Sequence, residues 1–135
     1  MKRAINYTIP ILTIALAIIG LSFTPILVGC SSGQRQSTLR GLLTTVRAAD
    51  EGFRVWDAEH QRKIVFEAST KEAGREALIE YRTKREPILK GFTIVYLAIS
   101  IAATGDDDES LQDALRRGRE LLEAVTTFSS AEVAP

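Results

Sequence analysis

TLRGLLTTVRAADEGFRVWDAEHQRKIVFEA, residues 38–68, places Leu39, Leu42, Val46, Ala49, Phe53, Trp56, His60 and Ile64 at steps of three and four. That is the spacing of side chains along one seam of an α-helix, whereas a strand repeats every two residues. The segment predicts a helix about 46 Å long at 1.5 Å per residue. Gly41 and Gly52 each weaken it by ~1 kcal/mol relative to alanine, so packing against other elements must supply its stability.

Ser69-Thr70-Lys71-Glu72 has the pattern of a capping box. The Ser69 hydroxyl accepts from the Glu72 amide and Glu72 answers reciprocally, so a turn and a second helix are expected here. Ala77, Leu78, Tyr81, Ile88, Phe92, Val95, Ile99 and Ala102 continue at helical spacing. Pro87 lies among them and predicts a kink or short break, because proline removes a backbone donor and disfavours helical geometry at Glu86. Gly105 and the run Asp106-Asp107-Asp108-Glu109-Ser110 read as a helix stop and start, with acidic side chains facing the positive end of a third helix. Leu111, Leu115, Gly118, Leu122, Val125 and Phe128 form that helix's apolar face. No alternating strand pattern occurs. The expected fold is all-α, a long antiparallel helical hairpin with a third helix packed on one half.

A turn near residue 69 pairs residues whose numbers sum to about 138–139. Leu42 then faces Tyr96, Val46 faces Phe92, and Ala49 approaches Ile88 or Leu89. Residues 87–105 carry one charge, Lys90, and should be covered by both other helices. Residues 55–86 hold seven basic and seven acidic side chains and should form a two-helix arm without a third helix.

Across 135 residues, 17 Lys and Arg balance 17 Asp and Glu, which argues against a broad basic surface for nucleic acid. One cysteine and one histidine exclude a disulfide framework, a cysteine metal cluster and a multi-histidine site. No charge occurs between Arg3 and Arg35. Lys2 and Arg3 form a basic start, Ile9–Phe23 an apolar stretch, and Pro25, Gly29 and Cys30 close the segment. Its length fits a secretory signal or a membrane anchor.

Leu27-Val28-Gly29-Cys30 resembles the lipobox of bacterial lipoprotein precursors, and the chain's sole cysteine occupies the required place. The resemblance implies a diacylglyceryl group on the Cys30 thiol and cleavage between Gly29 and Cys30. Residues 1–29 would then be a signal peptide helix, 30–37 a polar tether carrying the lipidated cysteine, and 38–135 a single helical domain. Loss of 1–29 removes Lys2 and Arg3, leaving a net charge of −2. Two or three acyl chains make attachment stable where one gives only marginal binding. A tether over 31–37 would reach no more than ~25 Å at 3.3–3.6 Å per residue, with the three-helix portion near the lipid. Ser31, rather than Asp, follows the cysteine; by the same resemblance this favours the outer membrane, facing the periplasm.

Few residues suggest chemistry. His60 beside Glu59, a turn from Trp56, would need a pocket to act as a base, and a slender hairpin offers little concavity. It reads as a seam histidine, with Trp56 a seam residue under Lys84 or Arg85. The acidic run 106–109 lacks the ligand spacing of an EF-hand loop and reads as helix capping. Arg82, Lys84 and Arg85 form a basic cluster, but Glu80 stands four residues before Lys84, as on a salt-bridged face; Arg116, Arg117 and Arg119 read alike. Gly91–Thr104 is uncharged over fourteen residues, short of the ~20 needed to span a membrane, and reads as a core helix.

Ile64-Val65-Phe66 is different. Three consecutive apolar residues cannot share one seam, so Val65 or Phe66 should be exposed near the hairpin's end, as a partner site or a self-association surface. There is no Ser-His-Asp set, metal cluster or glycine-rich phosphate loop. The expected protein is a non-catalytic, lipid-anchored envelope protein with a membrane and an unidentified protein as partners, and no cofactor beyond covalent lipid on Cys30. Phage-type lysis (spanin-like) or exclusion lipoproteins are the alternatives; an envelope enzyme has the least support.

Overall fold

The computed structural model describes residues 32–105 and 107–133. The expected signal peptide, Gly29 and Cys30 lie outside them. Three helices follow one another: α1 Ser32–Glu67, α2 Lys71–Thr104 and α3 Asp108–Val133. The described residues contain no strand, and the fold is all-α, as the spacing predicts. α1 and α2 form the antiparallel hairpin, and α3 packs against both.

α1 starts at Ser32, six residues before the periodicity suggests. Residues 32–37, read as a tether, are helical. The reason is Arg35, one turn before Leu39 on the same seam and only 9% exposed. Its guanidinium donates to the Ala102 carbonyl at 2.9 Å, the Asp107 carbonyl at 2.6 Å and the Ser110 hydroxyl at 3.0 Å, with the Asp108 carboxylate 3.7 Å away. The last carbonyls of a helix lack intrahelical partners and carry its negative pole, so a buried cation there stabilises α2's end.

At the opposite end Thr70, not Ser69, caps α2: its hydroxyl accepts from the Ala73 amide at 3.1 Å. Gly74 fixes this frame. It is buried against the turn and the end of α1, where an added Cβ would lie 3.0 Å from the Ala68 Cβ and 3.9 Å from the Val65 Cα. α2 runs through Pro87 without the break that proline suggested, and the ring faces outward.

Phe53, Phe92, Leu42, Leu122 and Val46 are the largest fully buried side chains, drawn from all three helices. Near the turn the α1–α2 register follows the expected sum, with Gly74 packed against the Val65 backbone, but the side-chain contacts shift along the hairpin. The Tyr81 hydroxyl reaches Asp57, matching the expected sum, and the Phe92 ring reaches to within 6.1 Å of Phe53. The Tyr96 hydroxyl meets Asp50 at 3.2 Å rather than Leu42. Side chains in a helix lean toward its N-terminus, so long α2 side chains reach toward the turn and meet α1 residues of higher number. Leu42 instead fills the hollow at Gly118, where a Cβ would lie 2.7 Å from its Cδ1.

One further expectation is corrected. α3 extends to the arm: Phe128 packs 6.0 Å from Trp56 and 5.9 Å from Tyr81, and Glu132 lies 3.6 Å from His60. Only the tip beyond His60 and before Tyr81 is left to two helices. The apolar half of α2 is covered by both other helices, as expected, but among the described residues these two neighbours leave a third face open. Ile94, Leu97 and Ile101 are exposed there.

Candidate functional site

Where α3 ends, the three helices meet in a cluster of rings and charges. His60 stacks on Trp56, centroids 5.0 Å apart and 16° from parallel, with the Tyr81 ring tilted against it at 4.8 Å. Beneath them Asp57, buried, accepts from the Tyr81 hydroxyl at 2.7 Å and from the Gln61 amide at 2.9 Å, and pairs with the Arg85 guanidinium. Gln61 in turn accepts from Arg82 at 3.1 Å. Burial, then the adjacent Asp57 carboxylate, pushes the Tyr81 phenol well above its usual range. Tyr81 therefore remains a proton-bearing donor and holds α2 to α1.

Trp56, Asp57, His60 and Tyr81 engage one another, whereas Gln61 and Arg82 also border the groove at the tip. His60 occupies the seam as its spacing predicts, enclosed by Trp56, Tyr81 and Glu132. The cation expected over Trp56 is elsewhere: Arg85 pairs with Asp57 and Lys84 with Glu80 at 2.8 Å, since a carboxylate outcompetes a ring face. No group of three metal-ligating side chains occurs among the described residues. The contacts of the cluster tie the three helices together.

Other charged motifs are also engaged locally. Arg116 bridges Asp113 at 2.5 Å and Glu120 at 2.9 Å, and Arg117 donates to Asp113 at 2.6 Å. Hydrogen bonds from Arg117 and Arg116 hold the Asp113 carboxyl below its ordinary range. Asp107 accepts from the Ser110 amide at 2.7 Å, which lowers its pKa and gives it the capping role expected of the acidic run.

Among the described residues, exposed apolar side chains lie on the outward face of α2, at Ile94, Leu97 and Ile101, and at the tip of the hairpin. At the tip Val65 is 56% and Phe66 89% exposed, beside a shallow groove formed with Gln61, Arg62, Leu78 and Arg82. At the other end α1 begins two residues after Cys30. The sequence reading missed two structural groups, the Arg35 cap and the Asp57–Arg85 pair. Their signal was positional: both Arg35 and Asp57 stand four residues from seam apolar residues, Leu39 and Phe53. Comparison with protein-family models, curated proteins and solved structures found no match.

Proposed function

We propose that this chain is a lipid-anchored lipoprotein of the cell envelope, non-catalytic, which holds a stiff helical arm toward a protein partner. The supporting observation is the sole cysteine, Cys30, preceded by Leu27-Val28-Gly29 and two residues ahead in sequence of α1, whose far end carries Phe66. At 1.5 Å per residue the 36 residues of α1 span about 54 Å. Lipid on Cys30 would confine the body to a thin layer and raise its effective concentration for any neighbour within that reach. By the same resemblance, Ser31 after the cysteine favours the outer membrane, facing the periplasm. Val65 and Phe66 form the contact surface, since exposed apolar side chains at the end of a charged arm favour burial against another protein.

In-cell crosslinking with a photoreactive residue at Phe66 and, separately, at Arg117 tests the arm. Capture of a discrete partner from position 66 and none from 117 is the expected outcome. Equal capture at both positions, or capture at neither, contradicts it.

A further inference from the structure

We propose that the bundle does not stand off from the bilayer on a tether but rests on it, with the outward face of α2 at Ile94, Leu97 and Ile101 seated in the lipid surface. This rests on the lipid anchor at Cys30 and adds the orientation of the body to it.

Three observations meet at this face. The side chains of Ile94, Leu97 and Ile101 are 47%, 61% and 55% exposed, and their spacing of three and four sets them in one line along the helix. No charge interrupts residues 91–104. α2 is the one described helix long and apolar enough to cross a membrane by length and composition, yet only 33% of its most apolar window is buried. Its apolar excess is thus turned outward, unlike the outer faces of α1 with Arg40, Arg47, Glu51 and Arg54 and of α3 with Arg116, Arg119, Glu120 and Glu123.

Position supplies the second argument. Arg35 donates to the carbonyl of Ala102, so the Ile101 end of the stripe stands beside the first turn of α1. The Cys30 Cα lies within ~8 Å of that of Ser32, two trans peptide units away. Acyl chains on Cys30 therefore enter the bilayer at the end where the stripe is exposed. A chain already held at the surface needs little further affinity to lie down on it.

The flanking residues suit that boundary. Thr104 returns its hydroxyl to the Ser100 carbonyl at 3.2 Å, and Thr93 to that of Leu89 at 3.5 Å, so neither depends on water. Toward the tip the stripe ends at Lys90, paired with Glu86 at 2.7 Å, and Glu80 and Lys84 follow. These charges keep the distal half in water and lift Phe66 away from the membrane. A second copy is the weaker occupant: three half-exposed side chains fall far short of the ~800 Å² per partner that a stable dimer buries.

The test uses full-length protein purified from membranes, its lipid confirmed by mass, in vesicles of phosphatidylethanolamine and phosphatidylglycerol. With Cys30 blocked by lipid, a nitroxide is placed through Leu97→Cys or Ile101→Cys, and through Val55→Cys and Ile79→Cys as exposed apolar controls. Labels at 97 and 101 should lose access to an aqueous nickel chelate severalfold and gain collisions with oxygen, while those at 55 and 79 stay accessible to the chelate. Equal chelate access at 97 and 55 in protein of the lipidated mass overturns the placement and leaves the anchor standing. Spin–spin broadening between labels at 97 also overturns it, assigning the face to a second copy. A mass without lipid overturns the anchor and this placement together.

Discussion

Phe53→Ala is expected to be the most damaging single substitution in the bundle, lowering stability by about 4 kcal/mol, within the range for truncating buried phenylalanines. The Phe53 ring is fully buried and sits 5.7 Å from Trp56, 6.1 Å from Phe92 and 6.1 Å from Phe128, touching a ring on every helix. Its loss opens a cavity that α-helical backbones, stiff along their length, cannot collapse to fill. A domain of this size has about 5–15 kcal/mol in total. At roughly 4–8 °C per kcal/mol, the melting temperature should fall by about 15–30 °C, read by circular dichroism at the helical band. Val55→Ala, two residues away but facing solvent, should stay within about 0.5 kcal/mol. Comparable losses at 53 and 55 would contradict the seam assignment of α1.

Asp57→Ala is expected to cost about 3 kcal/mol, the lower end for breaking a buried pair, because the Arg85 side chain keeps 21% of its exposure and regains some hydration. The variant also strands the Tyr81 hydroxyl, 97% of the residue being buried. Tyr81→Phe removes one donor and leaves Asp57 with Arg85 and Gln61, so its cost should be smaller, ~1 kcal/mol. The double variant should be less destabilised than the sum of the two, since the second change removes the group the first leaves unpaired. Equilibrium denaturation of the four proteins checks the cycle. Additive losses would show that Asp57 and Tyr81 do not act through each other.

Much of this architecture could be read from apolar spacing because burial along a helix imposes a period on the chain. Leu39 to Trp56, Tyr81 to Ala102 and Leu111 to Val125 repeat at three and four, and each set lines the core. What spacing did not convey was carried by polar residues doing structural work. Arg35 extends α1 and caps α2, but a cation in a seam position reads as the end of a hydrophobic pattern. Asp57 likewise sits one turn from Phe53 with nothing local to announce its partners at 81 and 85. Phe128 belongs to α3's apolar face by spacing, but the many charges of residues 55–86 argue against a third helix there; Phe128 nevertheless packs on Trp56 and Tyr81, because most of those charges line the outer faces. Exposure of Phe66 was foreseeable, since three successive apolar residues cannot share a seam. Exposure of Ile94, Leu97 and Ile101 was not, because a wholly apolar stretch does not say which face lacks a neighbour.

The functional reading depends most on the fate of Cys30. Cells expressing the protein are supplied with labelled palmitate, beside a Cys30→Ser variant, and the mature N-terminus is measured by mass spectrometry. The account predicts label in the unsubstituted protein alone, on a chain that begins at Cys30 and bears a diacylglyceryl group. A chain that retains residues 1–29 and takes up no label would contradict it.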